Sequence, residues 1–191
     1  MKKWLVRKII EANDFFVDMK VCKYSLADED DSSFYWLLDV IFEDMEITPS
    51  DSFLDIGCGK GRVLAYFIKK GFLCKITGVE KDRQLFKLAR KWGKKYKKLS
   101  IINADIFDLS LNSFNVFYYF NLLDKMDFER LIKKIEKEIS HPITIYACND
   151  HFFEMLEQRP GWRKHKQYKT SELKGGVSIC NIQNSIWRYI P

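Results

Sequence analysis

Ten residues constrain this chain more than any other stretch: Phe53 to Arg62, read F-L-D-I-G-C-G-K-G-R. An apolar run, Phe53, Leu54 and Ile56, carries one acid, Asp55, and stops at three alternating glycines, Gly57, Gly59 and Gly61. A helical pattern starts at Arg62. A near-continuous apolar run is how a strand buried on both faces reads. Glycines after it permit backbone angles closed to other residues and let a ligand reach the main chain. The first N–H groups of a helix have no partner inside it, so the start at Arg62 offers donors to a negative group.

The next elements extend the pattern. A helix is expected from Arg62 to Lys70, stopped by Gly71. A strand follows from Lys75 to Val79, ending in Glu80, which completes one βαβ unit. Glu80 lies about 20 residues after the last glycine, where an acid can take two hydrogen bonds from a ribose. The competing reading of Glu80 is a surface acid ahead of a helix for which Asp82 is the better cap. Further helices are expected over Asp82–Tyr96 (with Leu85, Leu88, Ala89 and Trp92 inward), Met126–Ile139 and from Asn149 to Glu157. Strands are expected over Leu99–Asn103, Phe114–Phe120 and Ile143–Cys148, then an antiparallel pair, Trp162–Lys169 and Val177–Ile190, around Gly175-Gly176. Upstream, residues 1–20 read as an amphipathic helix, suited to packing on the domain or to a membrane surface. Ser25–Ser33 reads as an acidic loop, and a helix from Phe34 to about Glu46 ends before Pro49.

In order, an acid and glycine loop, Glu80 and then Asp105 at the end of the third strand resemble the class I S-adenosylmethionine-dependent methyltransferases, whose first motif is D/E-x-G-x-G-x-G. The resemblance implies an α/β fold: a doubly wound, seven-stranded, mostly parallel sheet of order 3-2-1-4-5-7-6 with helices on both faces. Residues 1–48 would form an N-terminal helical extension or lid, in which Tyr35 and Trp36 could touch the cofactor, and 49–191 the Rossmann-like domain. It implies S-adenosyl-L-methionine as cofactor, held by Asp55, Gly57, Cys58, Gly59, Gly61, Glu80, Lys81, Asp105, Ile106 and Asn121. Asn121, Tyr118 and Tyr119 would orient the acceptor. The prolines that follow the equivalent of Asn121 in nitrogen-methylating members are absent, with Leu122-Leu123 in their place. The likeness to the DNA-base and glutamine enzymes stops there. The arginine after the last glycine is similar to the lysine-methylating, Dot1-like branch.

The chain of 191 residues suits one core, and 47% hydrophobic residues argue against disorder. No apolar run reaches the roughly 20 residues of a membrane span. Five scattered cysteines without a C-x-x-C pair suit reduced thiols in a cytoplasmic protein. His141, His151 and His165 show no metal spacing, so no metal is expected; His151, after the fifth strand, is a conceivable proton acceptor. The cations from Lys87 to Lys98 read as a solvated helix face and a cationic helix end, with RNA binding as the alternative. The acceptor is expected to be a small molecule or a protein side chain. Rival readings are a non-catalytic S-adenosylmethionine- or nucleotide-binding protein, a protein-lysine or RNA methyltransferase, and an NAD-dependent oxidoreductase.

Overall fold

The computed structural model describes residues 35–43, 45–120, 123–148, 151–170 and 182–191. The expected helix over 1–20, the acidic loop, Asn121-Leu122, the residues Asn149-Asp150, the Gly175-Gly176 turn and the side chains of Tyr35 and Trp36 lie outside the described residues.

The elements run α1 (Tyr35–Ile41), β1 (Ser52–Ile56), α2 (Arg62–Lys70), β2 (Lys75–Val79), α3 (Arg83–Gly93), β3 (Leu99–Ile102), β4 (Val116–Phe120), α4 (Lys125–Glu138) and β5 (Ile143–Cys148). A 3₁₀ helix (Phe153–Gln158) and strands β6 (Trp162–Thr170) and β7 (Ile182–Tyr189) complete the chain. They form one sheet of order β3-β2-β1-β4-β5-β7-β6. The first five strands are parallel, and β7 runs antiparallel to both β5 and β6. The sheet matches the order implied by the resemblance.

Two apolar cores sandwich this sheet, because alternate residues of a strand face opposite sides. Phe53, Ile76, Val116 and Tyr118 face Leu37, Leu38, Leu64, Phe67 and Trp92 on one side. Leu54, Ile56, Phe117 and Tyr119 face Phe128, Leu131, Ile135 and Leu156 on the other. The chain leaves β1 toward β2 and β3 and returns beside β1 as β4. That reversal opens a crevice past the carboxyl ends of the strands, where ligands of such sheets bind.

Element limits depart from expectation for local reasons. The helix expected from Phe34 to Glu46 stops at Ile41, because the chain tightens to three-residue bonds: Glu43 N–H donates to the Val40 carbonyl at 3.5 Å and Met45 N–H to Phe42 at 3.1 Å. After β5 the expected α-helix is a 3₁₀ helix. Its three-residue repeat puts Phe153 and Leu156, both buried, on one face. The fourth strand starts at Val116 rather than Phe114. Asn115 accepts from Ser52 N–H (2.8 Å) and donates to Asp51 Oδ1 (2.6 Å). An aspartate could accept the first bond but could not donate the second. On α3, Ala89, Trp92 and Gly93 are buried, while Leu85 and Leu88 are half-buried.

Gly61 is where this fold tolerates no side chain. Its φ is +89°, and a Cβ built there would stand 2.6 Å from Trp92 Cζ2. The indole is itself anchored, its Nε1 donating to the Lys60 carbonyl at 2.9 Å. Gly61→Ala is therefore expected to lower stability by about 2–4 kcal/mol, from combined backbone strain and overpacking. A urea unfolding curve coincident with the parent's would refute this.

Candidate active site

The glycine loop spends most of its own donors internally. Gly57 and Cys58 N–H both donate to the Val79 carbonyl (2.9 and 3.0 Å), and Gly61 N–H donates to the Cys58 carbonyl (2.8 Å). Gly59 N–H donates to Glu80 Oε2 at 2.8 Å. The expectation of free donors thus fails for the loop, and Gly61, at the start of α2, brings no side chain to cap the helix. The loop's service to a ligand is shape. A Cβ on Gly59 would meet no atom of the described residues within 4 Å, so the space in front of it is open on their side.

Glu80 is buried, not a surface acid. Its Oε2 holds the glycine loop and its Oε1 accepts from Asp82 N–H at 2.8 Å. Two carboxylate oxygens have about four acceptor positions, so two remain after these bonds. Asp82 caps α3, accepting from Gln84 and Leu85 N–H at 2.8 Å each. Asn103 ties the strand ends together, its Nδ2 donating to the Glu80 carbonyl (2.8 Å) and the Lys81 carbonyl (3.2 Å).

Gly57, Glu80, Lys81, Asp105 and Ile106 line one cleft of about 410 Å³, open to solvent, with Ile56 and Val79 at its floor. Asp105 Oδ1 accepts from Phe107 N–H at 3.1 Å, which folds the loop after β3 back on itself. Sequence reasoning missed the opposite wall: Phe107, Leu123 and Asp127. The Arg130 guanidinium lies 3.9 Å from the Phe107 ring centre and so joins α4 to this loop. A four-residue step from Met126 to Arg130 on a helix reveals nothing of a ring 23 residues upstream; only the packed fold brings them together.

Asp55 is not among the residues that line the cleft; it is paired in register with Gly78 of β2 and Tyr118 of β4. It is 3% exposed and its Oδ2 has no hydrogen-bond partner. Burial first, and the Glu80 charge second, push its carboxyl up to about 8. Cys58 is buried and its thiol is pushed well up, by burial first and then by Asp55 and Glu80. A thiol held neutral is a packing group; its sulfur faces Gly78, where a Cβ would come within 2.7 Å.

The two tyrosines expected near the acceptor turn to opposite cores and do not line the cleft among the described residues. Tyr118 packs on Phe42 (centroids 5.6 Å apart). Tyr119 packs on Phe128 and Phe153 (5.8 and 5.3 Å), and its hydroxyl accepts from Leu123 N–H at 3.3 Å. His141 Nε2 meets the Phe114 carbonyl at 3.0 Å, while His151 and His165 are exposed. Among the described residues no group of three His, Cys, Asp or Glu is placed to hold a metal ion, and no helix is long and apolar enough to cross a membrane.

This sheet order, with a glycine loop after β1 and acids after β2 and β3, defines the class: a Rossmann-like methyltransferase fold. Residues 53–139 match the family described as a methyltransferase domain. No curated protein matches the sequence. Similar solved structures include an RNA methyltransferase from Salinibacter ruber in complex with S-adenosyl-L-homocysteine (TM-score 0.61, 17% identity, 83% of this chain and 92% of that one). The [4+2]-cyclase SpnF superposes with TM-score 0.65 at 14% identity, covering 86% of each chain. A mutant MtNAS in complex with S-adenosylmethionine gives 0.60 at 14% identity, over 98% of this chain and 74% of that one. At such identities the likeness to these structures is one of fold, and a cyclase among them shows that this fold also carries other chemistry.

Proposed function

We propose that the protein is an S-adenosylmethionine-dependent methyltransferase that passes the methyl group to an acceptor in one in-line displacement. The observation that carries this reading is Glu80, a buried carboxylate at the end of β2. It lines the cleft and keeps two acceptor positions after binding Gly59 and Asp82. A vicinal diol needs such a pair of acceptors. Asp105 suits an exocyclic amine, and the apolar Ile106 and Phe107 suit a flat ring. The unpartnered Oδ2 of Asp55 suits an ammonium group. The open front of Gly59 admits a chain between these ends. The cofactor, when bound, supplies a methyl already activated on a sulfonium. This chain's residues then need only hold it, align the acceptor at roughly 3 Å and exclude water.

In this reading Gly57, Cys58, Gly59 and Gly61 shape the approach, Glu80 and Lys81 hold the ribose side, and Asp105 and Ile106 the base. Asn121 would orient the acceptor, a small molecule or a macromolecular side chain, and Tyr118, packed in the core on Phe42, has no part in this. Tyr119 would act by fixing Leu123, a cleft wall, through its hydroxyl. Residues 1–48 would serve as an extension over the site and 49–191 as the catalytic domain.

Titration calorimetry is expected to show S-adenosylhomocysteine binding more tightly than NAD. The reverse order, or no binding of the former, would overturn the assignment. Transfer of an isotopically labelled methyl to fractions of a cell extract is expected; uniform silence would leave a protein that binds without catalysing.

A further inference from the structure

From Lys81 to Lys98 the chain carries nine lysines and arginines against one acid, Asp82. That net charge of +8 exceeds the +6 of the whole chain, so the remainder of the protein is slightly acidic. All nine cations are exposed. None forms an ion pair among the described residues; the ion pairs there involve Lys70, Arg130, Lys134, Arg159 and Lys164. Lys75 at the foot of β2, also exposed, lies beside Lys98, whose carbonyl accepts from Ile76 N–H. Arg83, Lys87, Arg90 and Lys91 lie on α3, which packs on β3 at the edge of the sheet; Lys81 precedes it at the cleft and Lys94, Lys95, Lys97 and Lys98 follow its end.

A helix-end effect accounts for only part of them. The macrodipole favours cations only in the last turn, which covers Arg90, Lys91 and the residues after them. Arg83 opens the helix, where a cation is disfavoured, and no acid stands in that first turn. Arg83, Lys87 and Lys91 then follow at four-residue steps, as do Arg90 and the C-cap Lys94, and like charges at that spacing weaken a helix. One side of α3 thus bears a repulsive ridge, roughly one cation per turn, without a counterion among the described residues.

We propose that this ridge binds the phosphodiester backbone of RNA. A straight row of exposed cations neutralises phosphates independently of sequence. Phe86 and Tyr96 are half-buried beside it, under Arg90 (5.7 Å) and Lys95 (5.3 Å), and offer ring surface to bases. A membrane surface fits less well. It requires apolar side chains projecting outward beside the cations, and the buried side chains of α3 all turn into the sheet. Among the described residues the exposed large hydrophobics are Leu73, Met126, Met155 and Ile190, none of them on α3.

The experiment is fluorescence anisotropy of labelled single-stranded RNA with the full chain at rising salt. The parent is expected to bind, with affinity falling steeply between about 50 and 200 mM salt. The combined Lys87→Gln, Arg90→Gln, Lys91→Gln, Lys94→Gln variant should bind about tenfold or more weakly, with a log–log salt slope shallower by roughly 0.7 for each phosphate left without its cation. Its S-adenosylhomocysteine affinity should be unchanged, which separates the ridge from the cleft and checks folding. A control with Lys125→Gln, Lys133→Gln and Lys137→Gln on α4 should keep its RNA affinity. The proposal falls if the parent does not bind RNA at low salt, or if both variants lose affinity equally. It falls also if vesicles containing phosphatidylserine bind more tightly than RNA through the same cations.

Discussion

Glu80→Ala is expected to weaken S-adenosylhomocysteine binding by about 100- to 1,000-fold. Two hydroxyl bonds to a charged, water-shielded carboxylate contribute about 3–4 kcal/mol together. The same carboxylate holds the glycine loop through Gly59 and the start of α3 through Asp82. Its removal leaves both N–H groups without an acceptor and costs about 2–4 kcal/mol of stability. The loss of binding therefore has two sources, and a second variant removes the charge while keeping the shape. Glu80→Gln keeps the shape and two acceptor lone pairs, but its amide nitrogen must face one of the two N–H donors. It is expected to lose binding nearly as fully. Asp105→Ala, which touches only the half-exposed loop after β3, should cost about tenfold. Calorimetry with all three decides the matter: less than a tenfold loss in the Glu80 variants would remove the diol role.

Raising the pH from 6 to 8 is expected to destabilise the unliganded protein, and Asp55→Asn to abolish most of that dependence. The folded-state carboxyl titrates near 8, against an ordinary value of 3.8. Between these values the folded chain keeps a proton that the unfolded chain has released, so unfolding gives up that proton and is favoured as pH rises. The stabilising contribution is complete below about pH 4 and is lost as pH climbs through 8. At about 1 kcal/mol per pH unit, the change from pH 6 to 8 is about 2 kcal/mol, or about 4–8 °C in Tm for a chain of this size. Glu136 is lowered chiefly by its bond from Arg159, and in Glu138 burial is outweighed by bonds from Lys134 and Leu111 N–H. Both act in the opposite sense and at lower pH. Comparing parent and Asp55→Asn across pH 6 to 8 isolates the buried carboxyl; parallel melting curves would show that it ionises freely. An ammonium group placed beside Asp55 would favour the carboxylate. Binding of S-adenosylhomocysteine near pH 7 should then release up to one proton, read as heats that vary with the buffer's ionisation enthalpy. Asp55→Asn should show no such variation.

Several parts of the site were legible in one dimension because they depend on neighbours in sequence. The glycine spacing after an apolar run requires positive backbone angles, and Gly57, Gly59 and Gly61 have φ of 72°, 53° and 89°. Asp82 as a cap, Gly71 as a helix stop and Glu80 at a strand end follow from the same short-range rules. Alternation along β4 places Tyr118 and Tyr119 on opposite faces in any strand, but which core receives each depended on the partners. Phe107, Leu123, Asp127 and Arg130 carry no local signature, since their meeting is a property of α4 crossing over the loop after β3.

Taken alone, the amino-acid order determined the alternation of strands and helices, and with it the winding of the sheet and the rim on which a ligand sits. Local backbone preference and apolar periodicity suffice for the alternation, whereas the winding and the rim were legible through the resemblance carried by the glycine loop, Glu80 and Asp105. Only the tertiary structure decided that the loop's N–H groups turn inward to Val79 and Glu80, that Asp55 is buried with no partner for its Oδ2 among the described residues, and that the cations of α3 form no ion pair there. Each of these depends on which distant residues exclude water from a polar group or fail to neutralise a charge, and that is set by packing across the whole sheet.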